Sequence, residues 1–263
     1  MKNILRAGEN MENYIIELLK DTRNLILNLL QDKQALYYTG KGFYGDKTLR
    51  IDLLAEKNII RGLFEHYSNI AVFSEERGLV KKGEPKTFFI LDPIDGSANV
   101  SRKIPFASIS LAKASKNHSL SLEEGYVIDL FSGDIYWAVK GEGAWKNNQK
   151  IHVREVHDFE DLVLSFQLGK GNLEYFNRIK RLLVSLKHVR NLGSVALELC
   201  YVAEGKLDGL IDLRSLIRNV DIAAGHLIVE EAGGLFLDDN FRRVEYFLAV
   251  SYTHLTLPTT ERV

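Results

Sequence analysis

Apolar residues recur every three to four positions across 11–30: Ile15, Ile16, Leu18, Leu19, Leu25, Ile26, Leu29 and Leu30. That spacing gathers them on one face of a long amphipathic helix. A second helical pattern runs over 51–66. Between the two, 38–48 carries Gly40, Gly42 and Gly45 beside Lys41, Asp46 and Lys47 and reads as a mobile loop. The period then changes. Residues 70–73 and 88–91 are short unbroken apolar runs, the pattern of strands buried on both faces. Residues 108–114, 125–130 and 135–139 predict further strands, with Ser132-Gly133-Asp134 as a tight turn between the last two. Lys81 to Lys86 contains Gly83 and Pro85 and predicts a solvated loop between strands.

After Gly141-Glu142-Gly143 and Ile151-His152-Val153 the chain alternates. Strands are predicted at 163–166, 189–192 and 210–212, and helices at 173–186, 194–203 and 221–232. The last helix starts with Asp221 and ends at Gly233-Gly234, as caps require. The expected class is therefore α/β (α+β), with a soft boundary near 155. An α+β half occupies 1–155 and an alternating α/β half occupies 156–250. Residues 251–263 (SYTHLTLPTTERV) follow neither period and resemble a translated adaptor read-through. They are read as non-native, which would leave a native C-terminal strand and helix missing.

Composition adds exclusions. The 263 residues are 46% hydrophobic, enough for a large core, and 34 Lys+Arg balance 35 Asp+Glu, with no basic block for nucleic acid or a membrane surface. Cys200 is the single cysteine and sits in an apolar run, so it reads as a packed thiol in a reducing compartment. The N-terminus has no signal-like apolar segment, and no run approaches membrane length. A soluble, cytoplasmic protein is expected.

The chemistry concentrates in Asp92-Pro93-Ile94-Asp95-Gly96-Ser97. It follows an apolar strand, and acids at strand ends lie where α/β sheets place ligand sites. Pro93 holds Asp92 extended, so the chain can bend and bring both carboxylates and the Ile94 carbonyl to one locus. Gly96 and Ser97 open a helix whose first amides favour an anion. Hard oxygens beside anion-binding amides suit Mg²⁺ and a phosphate. The same hexapeptide also makes a good Asx turn. Glu75 or Glu76 after the preceding strand, Asp221 at a helix start and Asp52 in another first turn are each equally readable as ordinary charges or caps. The seven histidines show no mutual ligand spacing.

Together these segments resemble the inositol monophosphatase family. Asp92-Pro93-Ile94-Asp95-Gly96-Ser97-Ala98-Asn99 is similar to its first signature, and Asp221-Ile222-Ala223-Ala224-Gly225 through Glu231-Ala232-Gly233-Gly234 to its second. Phe73-Ser74-Glu75-Glu76 resembles its G-E-E element, and the likeness spans about 10–250. Gly45-Asp46, Thr48, Ile51-Asp52, Ala55-Glu56 and Ile104-Pro105-Phe106 are similar to archaeal members acting on both fructose 1,6-bisphosphate and inositol phosphate. The resemblance implies a layered α-β-α-β-α sandwich, a homodimer, and two or three Mg²⁺ ions, with Mn²⁺ as a substitute. Glu75, Asp92 and the Ile94 carbonyl would hold one ion. Asp92, Asp95 and Asp221 would hold a second, and Glu75 with Asp46 a third. Asp52 and Ser97, with Glu75, would activate water for in-line attack. Gly96 and Ser97 amides would bind phosphate, and Gly193, Ser194 and Arg190 would lie on the substrate side. Arg214 and Arg218 also lie near the expected substrate side, where one of the three arginines would contact a second phosphate or sugar hydroxyl, but an exposed ion pair is the expected reading for any given one, and Tyr136 and Trp137 read as packing residues.

The sequence departs from the family pattern at Ser74 for Gly, which requires negative φ there, at Val220 for Trp, at Ser97 for Thr and at Val100 for an aromatic. The implied activity is hydrolysis of a small sugar or cyclitol phosphate, with no nucleic-acid or membrane partner. The rivals are a 3′-phosphoadenosine 5′-phosphate phosphatase and a non-catalytic, RNA-associated member.

Overall fold

The computed structural model describes residues 2–248 apart from 157, 170–172, 215–216 and 239, with side chains from residue 14 onward. The segment 251–263, read as non-native, lies outside the described residues, as do His157 and His254.

The first helical period becomes α1 (Lys2–Leu29). The glycine-bearing segment expected as a loop is instead a small antiparallel hairpin, β1 (Tyr38–Lys41) and β2 (Lys47–Leu49). Its turn works because Gly45 takes a left-handed φ of 83°. Next comes α2 (Arg50–His66). Ile15, Leu19 and Ile26 of α1 and Ile51, Ala55, Ile59 and Leu63 of α2 are buried in one cluster, as their spacing required.

Strands β3 (Ile70–Ser74), β4 (Gly78–Lys82) and β5 (Thr87–Asp95) follow. The basic stretch predicted as a loop begins inside β4, where Lys81 and Lys82 pair with Ala71 and Ile70. Alternate exposure along β4 lets lysines occupy an edge strand. The short helix α3 (Ser97–Ser101) leads to β6 (Ser108–Ala114), β7 (Leu122–Asp129), β8 (Ile135–Val139), β9 (Gly143–Lys146) and β10 (Gln149–Ile151). These strands form an eight-stranded sheet in the order β10-β9-β8-β7-β6-β5-β3-β4. Only the β3/β5 pair is parallel.

The second half builds β11 (Val163–Gln167), α4 (Leu173–Ser185), β12 (His188–Arg190), α5 (Val195–Ala203), β13 (Gly209–Asp212) and α6 (Asn219–Glu231). Its strands form a parallel three-stranded sheet, β12-β11-β13. Five layers result. Helices α1 and α2 cover one face of the large sheet. Helices α5 and α6 cover the other, sharing a core with Phe73, Ile90, Ala112, Val127 and Ala138. The small sheet meets α5 through β13, and α4 closes the stack with Ile179, Leu182 and Leu183 over Leu164 and Phe166. The expected α-β-α-β-α sandwich is the observed one.

Helix α6 is buried continuously from Asn219 to Val229, enclosed by sheet and helix alike. Two glycines permit that fit. A Cβ on Gly125 of β7 would stand 2.8 Å from the Ala224 carbonyl oxygen, and one on Gly225 would stand 2.6 Å from Leu199 Cδ1. Cys200 is buried in this layer, and burial pushes its thiol pKa upward, which makes it a poor nucleophile. No helix among the described residues is long and apolar enough to cross a membrane.

Candidate active site

In a regular strand, residues three apart point to opposite faces. Asp92 and Asp95 escape this rule because β5 slips register against β6 between them. Asp92 pairs with Ser110 and Asp95 with Ser108, so β5 accommodates one extra residue. Such a bulge returns the second carboxylate to the side of the first. It falls on Pro93-Ile94, where proline has no ladder N–H to lose. Asp92 Oδ1 accepts from the Ile94 amide at 3.0 Å. Its Oδ2 is buried and has no hydrogen-bond partner. Asp95 Oδ2 accepts from Ser194 Oγ and the Ala196 amide, both at 2.7 Å, across the start of α5.

Asp221 comes from the other end of the layer. It does not cap α6, as its position at the predicted helix start implied. The helix begins two residues earlier, Arg218 is the N-cap residue without a side-chain cap bond, and Asp221 sits buried in the first turn. Its carboxylate faces Arg218, with Nε donating to Oδ2 at 3.1 Å and Nη2 lying 2.9 Å from Oδ1. The latter contact is too misaligned to count as a hydrogen bond, which leaves Asp221 Oδ1 unsatisfied. Arg218 Nη1 also donates to Glu75 Oε1 and lies 3.8 Å from Asp46 Oδ2. Its guanidinium stands 5.6 Å from the Tyr44 ring centroid. Arg218 is thus no surface cation; it stands inside the acid cluster. Arg214 is held by Asp212 at 2.6 Å and reaches within 3.8 Å of Asp221.

Asp52 is buried in the first turn of α2, where Oδ2 accepts from the Leu49 amide at 3.0 Å. Its Oδ1 lies 3.2 Å from Ser97 Oγ, which is also 2.9 Å from the Ile94 carbonyl. The hydroxyl has one proton and serves one of these acceptors at a time. Gly96, with φ 97°, turns the chain into α3. A Cβ there would stand 3.1 Å from both the Gly193 and Phe106 carbonyl oxygens. Gly193 has φ 87°, and its amide donates to Glu198 Oε1 at 2.9 Å. Ser194 is buried, with its hydroxyl turned to Asp95 and 3.1 Å from Ser108 Oγ. Arg190 is exposed on β12, donating to the Val189 carbonyl at 3.0 Å. Ser74 keeps negative φ and donates to buried Glu56, which is how β3 tolerates serine there.

The electrostatics reveal what the cluster lacks. Burial, then the charges of Glu75, Asp95 and Asp221, push Asp92 well above the usual carboxylate range. Burial and Asp221 push Asp95 up to about 7, against its bonds from Ser194 and Ala196. Burial also raises Asp52 and takes Glu76, bonded by the Thr48 hydroxyl, to about 7. Four acids at Glu75, Asp92, Asp95 and Asp221 meet the guanidinium of Arg218, with that of Arg214 3.8 Å from Asp221. No three Asp, Glu, His or Cys side chains among the described residues already converge on a metal-sized point. The donor set nonetheless fits hard cations. It is all oxygen, and its two fully buried members, Asp92 and Asp221, each offer an oxygen without a hydrogen-bond partner.

Sequence reading missed Arg218, Ser194 as a partner of Asp95, and Glu198. A lone arginine before a helix, or a glutamate inside one, carries no local signal. Only the fold brings residue 218 to residue 75, 143 positions away.

The inositol monophosphatase family profile matches residues 9–256. The chain belongs to the inositol monophosphatase family. It is 36% identical over 220 residues to the fructose-1,6-bisphosphatase/inositol-1-monophosphatase of Methanothermobacter thermautotrophicus, covering 80% of this chain and 77% of that protein. The Nus factor SuhB of Haemophilus influenzae is 31% identical over 232 residues, covering 87% of this chain and 85% of that one. A solved Pyrococcus horikoshii protein described as having similarities to inositol-1 monophosphatase superposes with a TM-score of 0.77 at 27% identity, covering 93% of this chain and 89% of the other. Inositol monophosphatase membership gives the juxtaposition its sense. The end of β5 with the start of α3, and the first turn of α6, carry the two family-like signatures, brought together across the α5–α6 layer.

Proposed function

We propose that this chain is a Mg²⁺-dependent phosphoric monoester hydrolase for a small sugar or cyclitol phosphate, with inositol monophosphate and fructose 1,6-bisphosphate as the candidate substrates. The observation that carries the reading is Asp92 Oδ2, a buried carboxylate oxygen without a hydrogen-bond partner, coupled to the charges of Glu75, Asp95 and Asp221. Glu75, Asp92, Asp95, Asp221 and the Ile94 carbonyl would hold two Mg²⁺, with Asp46 and Glu75 sharing a third; Mn²⁺ has compatible chemistry. The cations would neutralise the phosphate, polarise its oxygens and lower the pKa of water.

The chain's own groups supply positioning. Ser97 Oγ, poised between Asp52 Oδ1 and the Ile94 carbonyl, orients the attacking water. Asp52 receives the proton, since burial gives its carboxylate a greater affinity for one than an exposed acid has. The Gly96 and Ser97 amides at the start of α3 receive phosphoryl oxygens. The Gly193 turn, fixed by Glu198, borders the substrate ring. Hydrolysis then needs alignment and charge stabilisation and no phosphorylated enzyme side chain.

The test is phosphate release from inositol monophosphate, fructose 1,6-bisphosphate and 3′-phosphoadenosine 5′-phosphate, each with Mg²⁺ and with EDTA. We expect Mg²⁺-dependent turnover of at least one of the first two, and a loss of roughly 100-fold or more in Asp221→Asn with the fold retained. Turnover that survives EDTA, or an unaffected Asp221→Asn, rejects the reading. The similarity to a Nus factor favours one rival, a non-catalytic role. Retention of Glu75, Asp92, Asp95 and Asp221 opposes it, and absence of turnover on the whole panel would support it.

A further inference from the structure

Arg218 places a permanent positive charge among the acids proposed to bind metal. Its Nη1 donates to Glu75, Nε and Nη2 face the two oxygens of Asp221 at 3.1 and 2.9 Å, and Nη1 lies 3.8 Å from Asp46. A guanidinium stays ionised in proteins, so this charge is permanent. The neighbouring Arg214 does not share this position, because Asp212 binds it through both carboxylate oxygens at 3.1, 3.0 and 2.6 Å.

We propose that Arg218 is an internal competitor of the divalent cations and sets the concentration at which the site fills. The proposal rests on the metal-site reading above. The guanidinium N–H groups take lone pairs on Glu75 Oε1 and Asp221 Oδ2, and Nη2 crowds Asp221 Oδ1 at 2.9 Å. A planar fork and a divalent ion cannot both use them, and their like charges repel strongly at such separations in a buried site. Cation loading therefore requires Arg218 to leave both carboxylates. Asp92 Oδ2, which Arg218 does not bond, is the oxygen available before that exchange. Arg218 also contacts Asp46 and the Tyr44 ring in the β1–β2 turn, so its departure removes those two contacts, while the Phe43 amide still bonds the Glu75 and Glu76 carbonyls.

The test measures Mn²⁺ binding by the electron paramagnetic resonance signal of free Mn²⁺, at low ionic strength, on the whole chain without substrate. Arg218→Met keeps the stem and removes the charge. Its dissociation constant is expected to fall by about tenfold or more relative to wild type. Arg218→Lys keeps the charge and should stay nearer wild type than the Met variant does. Equal or weaker Mn²⁺ binding by Arg218→Met overturns the proposal. A second arm uses the unaltered protein, labelled with phenylglyoxal and read by peptide mass spectrometry. Saturating Mg²⁺ should speed modification of Arg218 as the guanidinium leaves its carboxylates, and unchanged or slower modification rejects the exchange. If wild type binds neither Mn²⁺ nor Mg²⁺, the metal-site reading falls and the competition with it. If wild type binds them and Arg218→Met does not tighten, the competition alone falls.

Discussion

Asp95 shows how a functional arrangement is held against the protein's own stability. Its carboxyl titrates near 7 in the folded chain, against an ordinary value of 3.8, because of burial and the charge of Asp221. A raised acid binds its proton more tightly when folded, so between about 3.8 and about 7 the folded state holds more protons than the unfolded one. Stability from this group is therefore present at low pH and lost as pH rises through that window. Asp95→Asn removes the titration and leaves the shape. Without divalent cations, the variant's melting temperature should gain on wild type steadily from pH 4 to pH 8, about the window the titration spans. A gap that stays constant with pH would show that Asp95 is not the strained group. At this scale the four acids Glu75, Asp92, Asp95 and Asp221 are gathered from the sequence only by the resemblance of their segments to the family's signatures, since each alone reads as an ordinary charge, cap or turn residue. Their partners are not. Ser194 reads as a substrate-side residue and Arg218 as a surface cation until residues 99 and 143 positions away are folded beside them.

Strand and helix periods announced most elements, because burial on both faces or on one stripe leaves a direct trace in residue order. The failures have local causes. The 38–48 segment looked like a loop because glycines mask its short alternation, while pairing with a partner six to eleven residues on makes it a hairpin. The start of α6 was misplaced because an acid in the first turn resembles a cap. The close approach of α6 to β7 left one visible sign, Gly125, whose meaning is tertiary. A Cβ there would stand 2.8 Å from the Ala224 oxygen and 3.3 Å from its Cα, both backbone atoms that cannot rotate away. Gly125→Val should push α6 off the sheet, cost about 1–3 kcal/mol of stability in urea unfolding, and lower phosphate release by displacing Asp221. Gly40→Ala meets nothing within 4 Å and should stay within about 0.5 kcal/mol of wild type. Equal behaviour of the two variants would show that the helix can accommodate the added methyl groups.

The large sheet ends at Ile151 and the small one begins at Val163. What binds the two is less visible in sequence, and Glu198 carries much of it. This buried carboxylate accepts from Ser165 and Gln167 on β11 and from the Leu192 and Gly193 amides at 3.0 and 2.9 Å. That turn in turn accepts from Asn99 at 2.7 Å and passes to Ser194, which donates to Asp95. One side chain therefore links the small sheet to the signature segment of the large one. Glu198→Ala strands three donors in the interior, the Gln167 side-chain amide and the Leu192 and Gly193 N–H groups, while Ser165 Oγ keeps the Arg190 carbonyl at 3.4 Å, at a cost of about 3 kcal/mol or more. Glu198→Gln keeps an oxygen for the three donors at Oε1 and an amide for Ser165 to accept from, and should be mild. The two tryptophans, Trp137 and Trp145, both lie in the large sheet, on β8 and β9. Tryptophan fluorescence thus reports the first half alone, while far-ultraviolet circular dichroism reports both. Wild type should lose the two signals together in urea, as a cooperative chain does. In Glu198→Ala, circular dichroism should begin to fall at lower urea than fluorescence, because the small sheet and α4 loosen before the large sheet opens. Two transitions that shift together in that variant would mean that the apolar α5–α6 layer alone couples the halves, with Glu198 contributing only stability.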